Sequence, residues 1–340
     1  MPHPNLGYLF WRECYEKGRN AKHIDDTITR ILKIDATDEP VNAPHGFALT
    51  TRYPGLLIGS GYAHGLPVDE DVKIGFYFDH TSGLPVIPGS SVKGVLRNLF
   101  GLPQKGKSDP YASQKAAMIC QILGKHVDVK ALATAIFEGV SPEGKPLGAY
   151  RRDIFYDARI IKTQKALMAD DYLAPHPNVF ENPVPIRFLK VAPGVSFYFA
   201  FRLVDTTVGE ITVTADEKER LFAYLLSTFG VGAKTNVGYG AFEPFDMQAH
   251  RERKAQEARR QERRRLEETL ADASDAKRIA AEIETTKSSK ILQQNIKKKF
   301  AHATLSKTEA DSVMQKLEEK FGSQDKFIKK IRNFLKERMM

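Results

Sequence analysis

Hydrophobic and polar positions alternate along several stretches of the chain. Val72, Ile74, Phe76 and Phe78 are interleaved with Lys73, Gly75, Tyr77 and Asp79, the two-residue period of a half-buried strand. Val195, Phe197, Phe199, Phe201 and Leu203 repeat the pattern opposite Ser196, Tyr198, Ala200 and Arg202. An earlier run, Val184 to Val191, joins it through Pro193-Gly194, and the two read as a hairpin. Ile154 to Ile161 is a further strand candidate. Between these strands, Tyr111 to Glu138 is helical in composition and predicts two helices, an insertion near residues 103–148. Thr214 followed by Glu217 forms a capping box and opens a helix with Leu221, Leu225 and Phe229 on one face. Antiparallel strands with helices packed on one side predict an α+β fold.

Beyond Phe245 the pattern changes. No proline follows, and Gly322 is the one glycine. Residues 250–269 hold almost no apolar side chain before Leu266, and their neighbouring opposite charges predict a solvated helix. Three shorter helices are expected after it. Ile291, Ile296 and Phe300 mark the first; Val313, Leu317 and Phe321 the second; Phe327, Ile331, Phe334 and Leu335 the third. Ser306 with Glu309 is a second capping box, and Gly322 is placed to end that helix. Two domains are therefore expected: a mixed body over 1–245 and an all-α extension over 246–340, a small helical module on a charged stalk.

Composition agrees with two folded parts. A chain of 340 residues that is 42% hydrophobic can bury a sizeable core. No apolar run approaches the ~18 residues of a membrane span, so no membrane partner is expected. Met1 to Leu9 lacks a basic region followed by an apolar one, which argues against a secretory signal. Cys14 and Cys120 are too few for a zinc cluster, and a reduced cytoplasm fits them. Charge sharpens the division. The net +9 splits into +1 over residues 1–245 and +8 over 246–340, so the basic excess lies almost wholly in the extension. It points to an anionic partner, either nucleic acid or another protein's acidic face.

Two glycine-rich stretches carry the chemistry. In Leu84-Pro85-Val86-Ile87-Pro88-Gly89-Ser90-Ser91-Val92-Lys93-Gly94-Val95-Leu96-Arg97, the second half reads as a helix with Val92, Val95, Leu96 and Leu99 toward the core. Ser90 or Ser91 suits its N-cap, and free backbone N–H groups there would receive a phosphate. Lys93 and Arg97, one turn apart, add a positive strip. An ordinary amphipathic helix with solvated cations is the competing reading. The second stretch runs Phe229-Gly230-Val231-Gly232-Ala233-Lys234-Thr235-Asn236-Val237-Gly238-Tyr239-Gly240. Lys234-Thr235 near glycines is not a nucleotide-binding P-loop. Ala233 and Phe229 stand where glycines are needed, and the loop leaves a helix instead of entering one. Its glycines would let a backbone lie close to a ligand, with Lys234 offering charge, Asn236 hydrogen bonds and Tyr239 a stacking face. Single-stranded RNA suits such a loop; a structural need for positive φ would call for the same glycines.

Together, residues 83–97 and 230–240 resemble the signature of the RAMP proteins of type III CRISPR effector complexes. Within that superfamily the chain is most similar to the sixth-subunit family of the type III-B, or Cmr, complexes. Asn5 to Phe10, Gly59 to His64, Asp153 to Ala158, and Pro175-His176 carry this similarity, which covers about residues 5–245. The resemblance implies a ferredoxin-like, RRM-related core with CRISPR RNA lying across it. It implies a place at the head of the complex, beside the repeated backbone RAMP subunit and the first Cmr subunit, with target RNA met indirectly. It assigns RNA contact to Gly89, Ser90, Ser91, Lys93, Arg97, Gly230, Gly232, Lys234, Thr235, Gly238 and Gly240. Asn236, Tyr239 and His64 complete the candidate set. The extension departs from the family pattern.

Catalysis is weighed against this. Asp69, Glu70 and Asp71 are consecutive, and in an extended chain they point to opposite faces, a poor metal site. His64, between Gly61 and Gly65, is the best-placed general acid or base but lacks a defined partner. His176, between two prolines, reads as a loop-shaping residue. A noncatalytic RNA-handling subunit without metal or cofactor is expected, with a ribonuclease acting on precursor or target RNA as the alternative.

Overall fold

The computed structural model describes residues 3–17, 21–59, 76–103, 106–142, 144–173, 186–271, 275–301, 303 and 305–337. It divides into two compact units, Met1–Met247 and Gln248–Met340.

The first unit mixes helix and sheet. Two helices, α1 (Leu6–Trp11) and α2 (Ala21–Leu32), precede β1 (His45–Thr50). Then follow α3 (Gly89–Leu99), α4 (Ala112–Leu123) and α5 (Val129–Ala133), the last running on through a wide π turn, Thr134–Glu138. Strands β2 (Ile154–Phe155), β3 (Arg159–Lys162), β4 (Met168–Leu173), β5 (Ile186–Val191), β6 (Ser196–Arg202), β7 (Thr206–Val208) and β8 (Ile211–Val213) lead into α6 (Ala215–Phe229).

β6 is the centre of the main sheet. β1 pairs antiparallel along its whole length on one side, from His45 opposite Phe201 to Thr50 opposite Ser196. The other side is shared by β2 and β3, also antiparallel. Phe197, Phe199 and Phe201 lie on one face by the strand's period. There Phe47 stacks on Phe199 and on Phe201, at 5.6 Å between ring centroids in each case, and Phe222 of α6 lies 5.7 Å from Phe201. Such pairs each contribute about 0.5–1.5 kcal/mol beyond their burial. The Thr214–Glu217 capping box starts α6 with both reciprocal bonds present.

Three expectations are corrected. β5 and β6 do not form a hairpin: β5 pairs with β4 as a separate two-stranded sheet. The connection between them is claimed by Thr51 instead. Its hydroxyl donates to the Ala192 carbonyl at 2.8 Å, and its N–H donates to that of Val195 at 2.9 Å. The strand candidate 154–161 is broken into β2 and β3. At the break, Ala158 bridges to Ile87 and leaves the sheet edge open to the start of α3. Phe229 is 44% exposed, because α6 ends there and Gly230 turns the chain away; the buried stripe is Leu221, Phe222, Leu225 and Leu226. Of the run 72–78, Val72 to Gly75 lie outside the described residues; Phe76 and Phe78 are buried, with rings 5.5 Å apart.

The second unit is helical over its described residues. The charged α7 (Met247–Ala271) leads to α8 (Asp275–Thr285), α9 (Ser289–Lys299), α10 (Lys307–Phe321) and α11 (Lys326–Lys336). A separate core gathers Ile279, Ile283, Leu292, Ile296, Val313, Leu317, Ile328, Ile331 and Leu335. The Ser306–Glu309 capping box opens α10, and Gly322, at φ 80°, closes it.

Candidate nucleic-acid interface

The first glycine stretch docks into the break between β2 and β3. Ile87 and Ala158 exchange two backbone hydrogen bonds, which seats Pro88-Gly89 against the sheet. A Cβ at Gly89 would fall 2.3 Å from the Phe155 carbonyl oxygen, so only glycine fits. Val92, Leu96 and Leu99 are buried and Val95 half-buried, as the pattern requires.

The expected anion site is filled from within. α3 begins at Gly89 with Pro88 as N-cap, and neither Ser90 nor Ser91 caps it with its side chain. The Gly89 N–H donates instead to Asp157 Oδ1 at 2.7 Å, so a carboxylate from the facing strand break complements the helix dipole. The Ser91 N–H donates to the Pro88 carbonyl at 2.8 Å. Arg97 is also engaged: its Nε donates to Glu138 Oε1 at 2.8 Å and an Nη to the Pro103 carbonyl at 3.0 Å, bracing the inserted helices. Lys93, the other cation of the expected strip, and the side chains of Ser90 and Ser91 make no hydrogen bond or ion pair among the described residues.

The second stretch folds on its own chain. The Val231 N–H donates to the Gly240 carbonyl at 3.0 Å, Ala233 to Leu57 at 2.8 Å, and Gly240 to Gly55 at 2.8 Å. An added Cβ would lie 1.8 Å from the Val231 carbonyl oxygen at Gly240 and 2.2 Å from that of Leu57 at Gly232. Gly230 likewise closes on Gly240, while Gly238, at φ 96°, has Pro54 as its neighbour. The close approach these glycines allow is therefore to the protein itself. What faces outward is the tip. Lys234, Thr235 and Asn236 are exposed, and their side chains make no hydrogen bond or ion pair among the described residues. Lys234 stands at φ 58°, the one non-glycine residue with positive φ among the described residues.

Beneath the tip lies a cluster that pattern reading missed. Tyr239 donates its hydroxyl to Asp171 Oδ2 at 2.6 Å, and Lys190 Nζ reaches the same oxygen at 2.5 Å. The Lys190 ammonium sits 5.7 Å from the Tyr239 ring centroid and 5.9 Å from that of Tyr53. Burial and the bond to Asp171 push the Tyr239 phenol well above its ordinary range. Burial also pushes the Asp171 carboxyl up, but its bonds from Lys190 and Tyr239 more than reverse this and hold it below 3.8. Tyr239, ring against Phe188 and Lys190, is thus a structural residue and not the open stacking face expected of it. Tyr53, 84% exposed in the turn after β1, is the ring available to a ligand. The sequence signal for it is Arg52-Tyr53-Pro54-Gly55, a cation and an aromatic in a Pro-Gly turn. Among the described residues the two glycine stretches share no hydrogen bond or ion pair: α3 is pinned at the sheet break and the loop at Gly55 and Leu57.

The carboxylates of the 153–158 motif are structural. Asp157 caps α3. Asp153 accepts from the fully buried Lys218 Nζ at 2.6 Å and from the Val204 N–H at 2.8 Å. His64, Asp69, Glu70, Asp71, Pro175, His176 and Pro177 lie outside the described residues.

The body is antiparallel α+β, with a helix seated in a sheet break and a glycine-lined loop leaving α6. The RAMP superfamily profile matches residues 48–243, from β1 to just past the loop, and the chain belongs to that superfamily. It is similar to the CRISPR system CMR subunit Cmr6 of Saccharolobus solfataricus, with 26% identity over 251 residues, covering 69% of this chain and 71% of the relative. Two solved structures are also similar. The type III-B Cmr-beta complex bound to cognate target RNA contains a chain with TM-score 0.40 and 22% identity, covering 70% of this chain and 72% of that one. Cmr6 from Pyrococcus furiosus gives TM-score 0.34 and 20% identity, covering 59% and 98%. No helix among the described residues is long and apolar enough to cross a membrane.

Proposed function

We propose that this chain is a noncatalytic RNA-binding and assembly subunit of a type III-B (Cmr) RNA-guided antiviral effector complex. Membership of the RAMP superfamily and similarity to Cmr6 support the assignment. The observation that carries the RNA reading is the loop tip. Lys234, Thr235 and Asn236 are exposed without internal partners, and the exposed ring of Tyr53 shares the Lys190 ammonium with Tyr239 of the same loop. A lysine and polar donors grip phosphate and sugar, while a free tyrosine stacks a base for about 1–3 kcal/mol. In this reading the body is a ferredoxin-like, RRM-related core crossed by CRISPR RNA. It sits at the head of the complex in the cytoplasm, next to the backbone RAMP subunit and the first Cmr subunit, and meets target RNA through the guide.

The test is RNA retention by the assembled complex after purification through the tagged chain. Lys93→Ala with Lys234→Ala is expected to reduce bound small RNA and flatten its salt dependence while leaving the fold intact. Unchanged retention with unchanged salt response overturns the RNA role. Cleavage of precursor or target RNA by the purified chain, abolished by His64→Ala or Asp71→Ala, overturns the noncatalytic one.

A further inference from the structure

Charge in the second unit is sorted by helix. α9 and α11 contain no Asp or Glu, whereas α8 and α10 carry carboxylates including Glu282, Glu284 and Glu318. α9 and α11 pack against each other and start side by side. Ser289, the first residue of α9, donates its hydroxyl at 2.9 Å to Asp325, whose carboxylate caps α11. Each helix buries one stripe, Leu292 and Ile296 on α9, and Ile328, Ile331 and Leu335 on α11. The opposite stripes are lysine. Lys290, Lys297 and Lys298 on α9, and Lys326, Lys330 and Lys336 on α11, are exposed, and none makes a hydrogen bond or ion pair among the described residues. Cations facing the other helices are paired instead: Lys299 with Glu282, Lys316 with Glu284, and Arg332 with Glu318. At about 1.5 Å per residue, Lys290 and Lys297 stand about 10 Å apart along α9, and Lys326 to Lys336 spans about 15 Å.

This surface suits phosphate better than a protein face. Protein interfaces centre on apolar anchors and are depleted in lysine. Ile291 is the one large exposed hydrophobic side chain of this unit among the described residues. A phosphate backbone needs only spaced point charges without competing carboxylates. We infer that the outward faces of α9 and α11 form a second, sequence-independent binding surface for the phosphate backbone of a nucleic acid. This surface does not depend on the role proposed for the glycine loop.

The experiment titrates the full chain against a labelled oligouridylate of about 20 nucleotides and follows anisotropy across salt concentrations. Lys298→Gln/Lys330→Gln is expected to weaken binding about tenfold or more near 0.1 M salt. It should also make the slope of log K against log salt shallower by about 1.4. Lys277→Gln/Lys307→Gln, which removes the same charge from α8 and α10, should change binding less than about twofold. Lys297→Gln/Lys326→Gln repeats the measurement should the first pair unfold. Equal binding by the α9/α11 and α8/α10 variants overturns the inference, as does polyglutamate binding as tightly as RNA, which would mark an acidic protein as the occupant. Loss of binding in Lys234→Ala alone, with the α9/α11 variants unaffected, removes this surface and leaves the loop's role standing.

Discussion

Lys234 is held at φ 58°, ψ 33°, a conformation that a side chain bearing Cβ occupies at a disadvantage of roughly 1–2 kcal/mol. Glycine would sit there without strain, and the local fold gives lysine no compensating internal bond. Lys234→Gly is therefore expected to stabilise the protein, by up to about 1 kcal/mol once the greater freedom of glycine in the unfolded chain is subtracted. The same change should weaken RNA retention as much as Lys234→Ala does. Urea unfolding and RNA retention measured on one preparation check the pair, and a stabilised variant with full retention would place Lys234 outside the interface. The two tyrosines show what sequence cannot report at this scale. Tyr53 stands in a Pro-Gly turn and Tyr239 between two glycines, but Asp171 and Lys190, distant in sequence, hold Tyr239 in contacts and leave Tyr53 exposed.

At the scale of elements, α3 depends on Asp157 and not on its own serines. Asp157→Ala removes the acceptor for the Gly89 N–H and should destabilise the protein by about 0.5–2 kcal/mol, whereas Ser90→Ala and Ser91→Ala should stay within about 0.5 kcal/mol. Chemical denaturation of the three variants tests the order; a larger loss at Ser90 or Ser91 would contradict the cap. Local patterns were legible: the alternation over 195–203 is β6, the capping boxes at Thr214 and Ser306 start α6 and α10, and 111–138 holds α4 and α5. Partner choice was not. β6 reads as a strand from its own residues, but its pairing with β1 instead of β5 rests on contacts with residues more than 140 positions away, those of Thr51 among them. The sequence pattern does not mark α8, because Ile279 and Ile283, one turn apart, are too few to establish a period beside the charged run before them. In the candidate site, Lys93 and the tip 234–236 could be read from type and spacing. The engagement of Arg97 by Glu138 and Pro103 could not, because the insertion supplies both partners.

For the whole molecule, acid should act on both units. Burial pushes the carboxyls of Asp79, Asp171 and Glu217 in the first unit, and of Asp325 in the second, upward. Hydrogen bonds to each, with the charges of Arg159, Lys190 and Lys125 in the first unit, reverse this and hold them below their ordinary values of 3.8 and 4.5. A carboxyl lowered on folding stabilises fully above its unfolded value, and that contribution is lost as pH falls through the lower folded value. Calorimetry of the full chain should thus show melting temperatures steady from pH 7 to about 5 and falling below about 4. A stability that rises on acidification would refute the assignment. A separate consequence follows from the way backbone carbonyls occupy side-chain space. Those of Phe155, Val191, Leu57 and Val231 stand where Cβ atoms would be at Gly89, Gly55, Gly232 and Gly240. Folding alone therefore accounts for these four glycines, three of them in the stretches 83–97 and 230–240. A library of this chain selected only for soluble expression, in a host lacking CRISPR RNA, would keep those four glycines and let Lys234 drift.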